Sequence, residues 1–164
     1  MNNADPESQS LIAQLLLLVV LTFINAFLAA AEIAVVSVNK NRVEQKAEDG
    51  DAKAQKLLKV LQDPNNFLST IQVGITLVNI LSGASLAETL SSRLAPVLGG
   101  GAAAKSLASI IILALLTYVS IVFGELYPKR IAMNKSEEVA QLTSGAVRFL
   151  GVIARPFVWL SLIH

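Results

Sequence analysis

Three groups of residues in this chain have the types and spacing to do chemistry. The first is Gly124-Glu125-Leu126-Tyr127-Pro128-Lys129-Arg130, which sets a carboxylate close to a helix-disrupting proline. Proline at 128 has no amide hydrogen, so in a helix the carbonyl of Gly124 loses its usual donor. A freed carbonyl beside a carboxylate is a cation site in outline. The bland alternative is a helix terminus at a membrane interface, with Lys129 and Arg130 as anchors. The second group is a run of small polar residues from Ser69 to Ser85, in which Gln72, Thr76, Asn79 and Gly83 share one helix face. That face either fastens helices together or binds an ion. The Asn79 carbonyl oxygen is a hard, neutral ligand suited to Mg²⁺, Ca²⁺ or Na⁺, and a nearby glycine lets backbone carbonyls turn inward. The third is Glu32, which follows the small run Ala29-Ala30-Ala31. A cation ligand or proton acceptor and an internal capping role are both open for it.

The elements that must position these groups are membrane spans. The chain has 164 residues, 54% apolar and only 15% charged, against about 25% charged in soluble domains. From Leu11 to Val38 the sole ionisable residue is Glu32, and that stretch is long enough to cross roughly 30 Å of hydrocarbon. A cleaved signal peptide fits it poorly, since no Lys or Arg precedes the run. A second apolar run, Phe67 to Ser92, opens after the helix-start signal Asp63-Pro64-Asn65-Asn66. A third begins at Ser106, after the turn-like stretch from Pro96 to Gly101, and ends on the Glu125 motif. The expected spans are therefore about 11–38, 67–92 and 106–127. The connector 39–65 carries Val43, Ala47, Ala54, Leu57, Leu58 and Leu61 at near-helical spacing with Gly50 as a break, which predicts two short helices folded back on the membrane face as a solvated link. The stretch 139–163 is apolar but interrupted by Arg148, Arg155 and Pro156, which predicts an interfacial helix, with a fourth span as the alternative.

Charge placement orients the spans. Lys40, Arg42, Lys46, Lys53, Lys56 and Lys59 crowd the first connector, the N-terminal tail has no Lys or Arg, and the next loop has only Arg93 and Lys105. The rule that basic loops stay inside predicts a multi-pass protein of the cell membrane with its N-terminus outside and C-terminus cytoplasmic. Net charge of +1 gives no basic stripe for nucleic acid. With no cysteine and one histidine, His164, the chain lacks a thiolate and an obvious catalytic base, so no enzyme is expected.

Asn25-Ala26-Phe27 leading into AAAEIAVVSVNKNRVEQKAEDG, the block DPNNFLSTIQVGITLVNILSGA, and VFGELYPKRIA together resemble the transmembrane domain, often called DUF21, of the CNNM/CorC family of magnesium transporters and their haemolysin-like bacterial relatives. The resemblance spans nearly the whole chain. It implies an all-α membrane protein: a homodimer in the lipid bilayer with three transmembrane helices per subunit and a cytoplasmic-side juxtamembrane helix. It also implies a single domain, 1–164, cut from a longer protein whose cytoplasmic CBS domains would follow. The implied activity is transport of Mg²⁺, in some members coupled to Na⁺, with a largely dehydrated ion between the spans. By position the implied ligands are Glu125 with the backbone of Gly124, the amide of Asn79, and backbone oxygens around Ala29 and at Ser82 and Gly83. Glu32 is a further implied contributor of charge, or a residue of the Na⁺ side. Many transporters of the family have serine where this chain has Ala29 and asparagine where it has Ile75, so two oxygen ligands are missing. A membrane-anchored regulatory or scaffold protein that has lost transport is the competing expectation. A pore-forming toxin is a poor third, because the spans are too apolar to insert from a soluble state.

Overall fold

The computed structural model describes residues 6–145, and among them only short turns interrupt helix. The order is α1 (Pro6–Ser37), α2 (Lys40–Glu48), α3 (Ala52–Gln62), α4 (Pro64–Leu94), α5 (Gly101–Ile121), a π turn (Val122–Leu126), α6 (Tyr127–Asn134) and α7 (136–145). Among the described residues three stretches are long and apolar enough to cross a membrane: Leu11–Ser37, Pro64–Leu94 and Gly101–Asn134. The third is longer at both ends than the run 106–127. Its start recruits the alanines at 102–104, and its end passes Pro128, because the widened π turn carries the helix past the missing amide.

The large apolar side chains of α1 and α5 mostly point outward; Phe23 is 72% exposed and Ile110 67%. That is the surface a helix shows to lipid, and in water it would be a patch requiring a partner. The packed core lies at the connector end of the bundle instead. There Ala31, Ala34, Val43, Ala54, Leu57, Ile71, Ala132 and Ala140 are fully buried in one cluster. The alanines of α1 let α4 and α6 approach it closely, as small residues do between membrane helices, where burial from water does not drive association.

The connector is part of this core rather than a solvated link. Asn39 caps α2 by accepting from the Arg42 amide, and Asp51 caps α3 by accepting from the amides of Lys53 and Ala54. Between them Gly50 turns the chain at φ +91°, a value L side chains rarely adopt. Val43 and Ala47 of α2 and Ala54, Leu57 and Val60 of α3 are buried, with Leu58 and Leu61 packed at the edge. They join the same cluster as Ala31 and Ala34 of α1 and Ile71 of α4, a tertiary surface that the local apolar spacing does not announce. A charged clamp closes the arrangement: Glu137 of α7 takes Arg42 Nε at 3.2 Å and the ammonium of Lys46, one turn further along α2.

Ala140, Thr143 and Ser144 of α7 are buried, and the Thr143 hydroxyl donates to the Val139 carbonyl at 2.7 Å. The interfacial helix expected over 139–163 thus begins as helix, while residues 146–163 lie outside the described residues.

Candidate cation site

A cavity of about 290 Å³ lies between α1, α4, α5 and the π turn. Its polar lining is Asn25 from α1, Asn79 and Ser82 from α4, Thr117 and Ser120 from α5, and Glu125 from the π turn; Gly83 contributes bare backbone, and Leu18, Leu113, Leu116 and Ile121 complete the wall. The Ser120 hydroxyl donates to Asn79 Oδ1 at 3.4 Å, a long bond that ties α5 to α4 across the cavity.

The π turn is the local device that brings Glu125 here. The Tyr127 amide donates to the Val122 carbonyl five residues back, so the turn holds one residue more than an α-helical turn. Pro128 supplies the cause, since it cannot make the α-type bond to Gly124. Gly124 is required for a second reason: a Cβ there would lie 2.9 Å from Asn25 Nδ2, closer than real Cβ contacts come. The glycine therefore lets Asn25 press against the π turn. Asn25 is only 1% exposed, and its Oδ1 has no hydrogen-bond partner among the described residues. An unpaired buried carbonyl costs about 1–3 kcal/mol, which a ligand at that oxygen would recover.

Asn79, Ser82, Gly83 and Glu125 are thus brought to one cavity, with Gly124 behind it. Ala29 and Glu32 are not among the lining residues. Ala29 is fully buried in the unbroken α1, where its carbonyl belongs to the helix ladder. Glu32 reaches the site through an intermediary: Lys129 Nζ lies 3.0 Å from Glu32 Oε2 and 2.8 Å from Glu125 Oε1. The polar face of α4 divides, because Thr76 donates its hydroxyl to the Gln72 carbonyl at 2.8 Å and only Asn79 and Gly83 meet the cavity. Sequence reasoning missed Asn25, Thr117, Ser120 and the pairing of Lys129. The available signals were Asn25 standing one turn before Ala29 and Lys129 one turn after Glu125.

Among the described residues no three His, Cys, Asp or Glu side chains converge. The donors here are amide and hydroxyl oxygens around a single carboxylate, which suits hard cations such as Mg²⁺, Ca²⁺ or Na⁺ rather than the nitrogen- and sulfur-seeking transition metals.

Three apolar helices long enough to span a bilayer, folded around a polar cavity at a broken turn, define a multi-pass membrane protein with an internal oxygen-lined site. Residues 16–163 match the cyclin M transmembrane N-terminal domain, and the chain belongs to that family, CNNM. A UPF0053 protein of Synechocystis is 39% identical over 93% of this chain. UPF0053 protein YhdT of Bacillus subtilis is 32% identical over 91% of it, and the polyamine export protein of Haemophilus influenzae is 32% identical over 88%. The match covers 35%, 33% and 34% of those relatives' lengths, so the chain spans about a third of each.

Proposed function

We propose that this chain is the ion-binding membrane domain of a cation transporter and that its cargo is a divalent cation, Mg²⁺ before others. The observation that carries the reading is that Asn25, Asn79 and Glu125 line one cavity between three spans, and that Asn25 Oδ1 is buried without a hydrogen-bond partner. A buried, unpaired carbonyl on a residue that shares a cavity lining with a carboxylate is costly as a helix fastener and useful as a cation ligand. Mg²⁺ takes six oxygens and gives up water reluctantly, usually keeping several waters when bound. At about 30 Å³ per water, the 290 Å³ cavity accommodates the ion with much of its shell. In this conformation it therefore suits capture of a partly hydrated ion rather than the tight cage of a dehydrated one. Asn25 also offers an oxygen one turn from Ala29, where the family serine is missing. Coupling to Na⁺, an outside N-terminus, a homodimer and cytoplasmic CBS domains in the whole protein belong to the same reading.

The test is Mg²⁺ binding to the purified full-length protein by calorimetry, with Asn79→Ala and Glu125→Ala beside the parent. Loss of binding in both variants supports the reading. A parent indifferent to every cation supports the scaffold alternative, in which the polar groups only fasten helices.

A second reading has its own observation. One relative is named a polyamine export protein, and Glu125 here accepts a primary ammonium, that of Lys129. Titration with spermidine in place of Mg²⁺ separates the two cargoes: saturable heat from spermidine and none from Mg²⁺ would move the assignment to organic cations.

A further inference from the structure

We propose that Lys129 is a tethered competitor for the cation site and the residue that sets its preference for divalent over monovalent cations; this rests on the cation-binding reading above. The observation is one ammonium shared by two carboxylates from different elements. Lys129 Nζ stands 2.8 Å from Glu125 Oε1 and 3.0 Å from Glu32 Oε2. An i,i+4 Glu–Lys pair is by itself ordinary helix support. Here the third member comes from α1, within a membrane-crossing stretch, where an ionisable group is expensive unless paired.

The three groups are not equivalent. Glu125 lines the cavity and Glu32 does not. The carboxylate that would hold the cargo is therefore already engaged by a cation belonging to the protein, while Glu32 keeps that ammonium paired when Glu125 releases it. An ammonium has three donors, so Lys129 can hold both carboxylates at once and give up one without a long swing. A tethered group acts at an effective concentration of order millimolar or above, whatever the bath contains. A monovalent cation that displaces it leaves the net charge at Glu125 unchanged and forfeits a charge-assisted hydrogen bond. A divalent cation adds a positive charge beside the carboxylate and gains the oxygens of Asn79 and Asn25. The lysine thus handicaps Na⁺ and K⁺ more than Mg²⁺.

Calorimetric Mg²⁺ titrations of the full-length parent, Lys129→Gln, Glu32→Gln and the double variant test this, each with NaCl and again with choline chloride at equal ionic strength. Lys129→Gln should bind Mg²⁺ about tenfold more tightly, the loss of one charge-assisted bond to the competitor, and NaCl should now weaken that binding where choline does not. Glu32→Gln should weaken binding, because the ammonium then has only Glu125. The double variant should match Lys129→Gln, since Glu32 acts through the lysine. Lys129→Met, which keeps the aliphatic stem, serves if the glutamine variant does not fold. Unchanged or weaker Mg²⁺ binding in neutral Lys129 variants, with binding still abolished by Glu125→Ala, overturns the tether and leaves the transport reading standing. A double variant as weak as Glu32→Gln makes Glu32 a ligand and overturns it too. No binding in the parent or in any Lys129 variant removes both.

Discussion

The contact between Gly124 and Asn25 gives the sharpest prediction. A methyl group at 124 would sit 2.9 Å from Asn25 Nδ2, 3.5 Å from its Cβ and 3.6 Å from its Cγ. Against an optimal separation of about 3.5 Å or more, the amide must retreat by roughly 0.6 Å. Asn25 is a short side chain, 1% exposed on an unbroken helix, and has little freedom to do so. Overpacking of this kind typically costs about 1–3 kcal/mol. Gly124→Ala should therefore lower the thermal midpoint of the protein in detergent and weaken Mg²⁺ binding together, because the displaced residue lines the cavity. The decisive variant is the pair Gly124→Ala with Asn25→Ala. Removing the amide relieves the clash, so the double variant should be less destabilised than the sum of the singles by about 1–2 kcal/mol, within the range for residues in contact. Strict additivity, or a Gly124→Ala protein as stable as the parent, would refute the close approach and with it the placement of Asn25 at the cavity.

Other sites test the frame around the cavity. Leu57→Ala removes a fully buried side chain from the connector-end core and should cost about 2–5 kcal/mol in thermal or denaturant unfolding; a loss below 1 kcal/mol would mean that the connector is not a core element. Asp51→Ala removes the acceptor for two amides at the start of α3 and should cost about 0.5–2 kcal/mol, seen as faster hydrogen exchange at Lys53 and Ala54. Glu137→Gln breaks the clamp on Arg42 and Lys46, but with the Arg42 side chain 67% exposed the effect on global stability should stay below about 1 kcal/mol. Its signature should be quicker proteolysis near Gly50, mimicked in the parent by high salt; unchanged proteolysis would make the clamp incidental.

What could be read in the sequence follows from what composition encodes. Spans announce themselves because hydrocarbon excludes charge over a fixed length, and the helical connector because its apolar spacing, broken at Gly50, is local. The Glu125 motif was legible because proline has a backbone consequence wherever it stands. What stayed hidden depended on how one helix is rotated against another. Asn25 is a lone amide in an apolar run, and nothing in that run says whether it faces lipid, core or cavity. Lys129 read as an interface anchor, because its partner Glu32 is close only in space. Glu32 was open in sequence between a ligand and an internal pairing role, and the lysine it pairs with is close only in the fold. Gln72 and Asn79 read as one polar face, for fastening helices or for an ion, yet Thr76 turns back onto the helix and only Asn79 and Gly83 of that face meet the cavity.

The extra residue in the π turn accounts for both sides of the site at once. An α-helix advances about 100° per residue, so in an unbroken α5 position 124 would fall about 20° from the line through Thr117, and position 125 about 80° away. The cavity would then meet Gly124, and Glu125 would point past it. Widening the turn by one residue re-phases the chain. Glu125 joins Thr117, Ser120 and Ile121 on the cavity wall, Gly124 meets Asn25 of α1, and Ala132 of α6 arrives fully buried against the core. The same step leaves Lys129 one turn beyond Glu125 and within reach of Glu32. Proline at 128 removes the bond that would oppose the widening, and glycine at 124 removes the side chain that would block the approach. A carboxylate between those two residues is placed by backbone chemistry, which is why the short motif, rather than any cluster of acids, marks where the cation would sit.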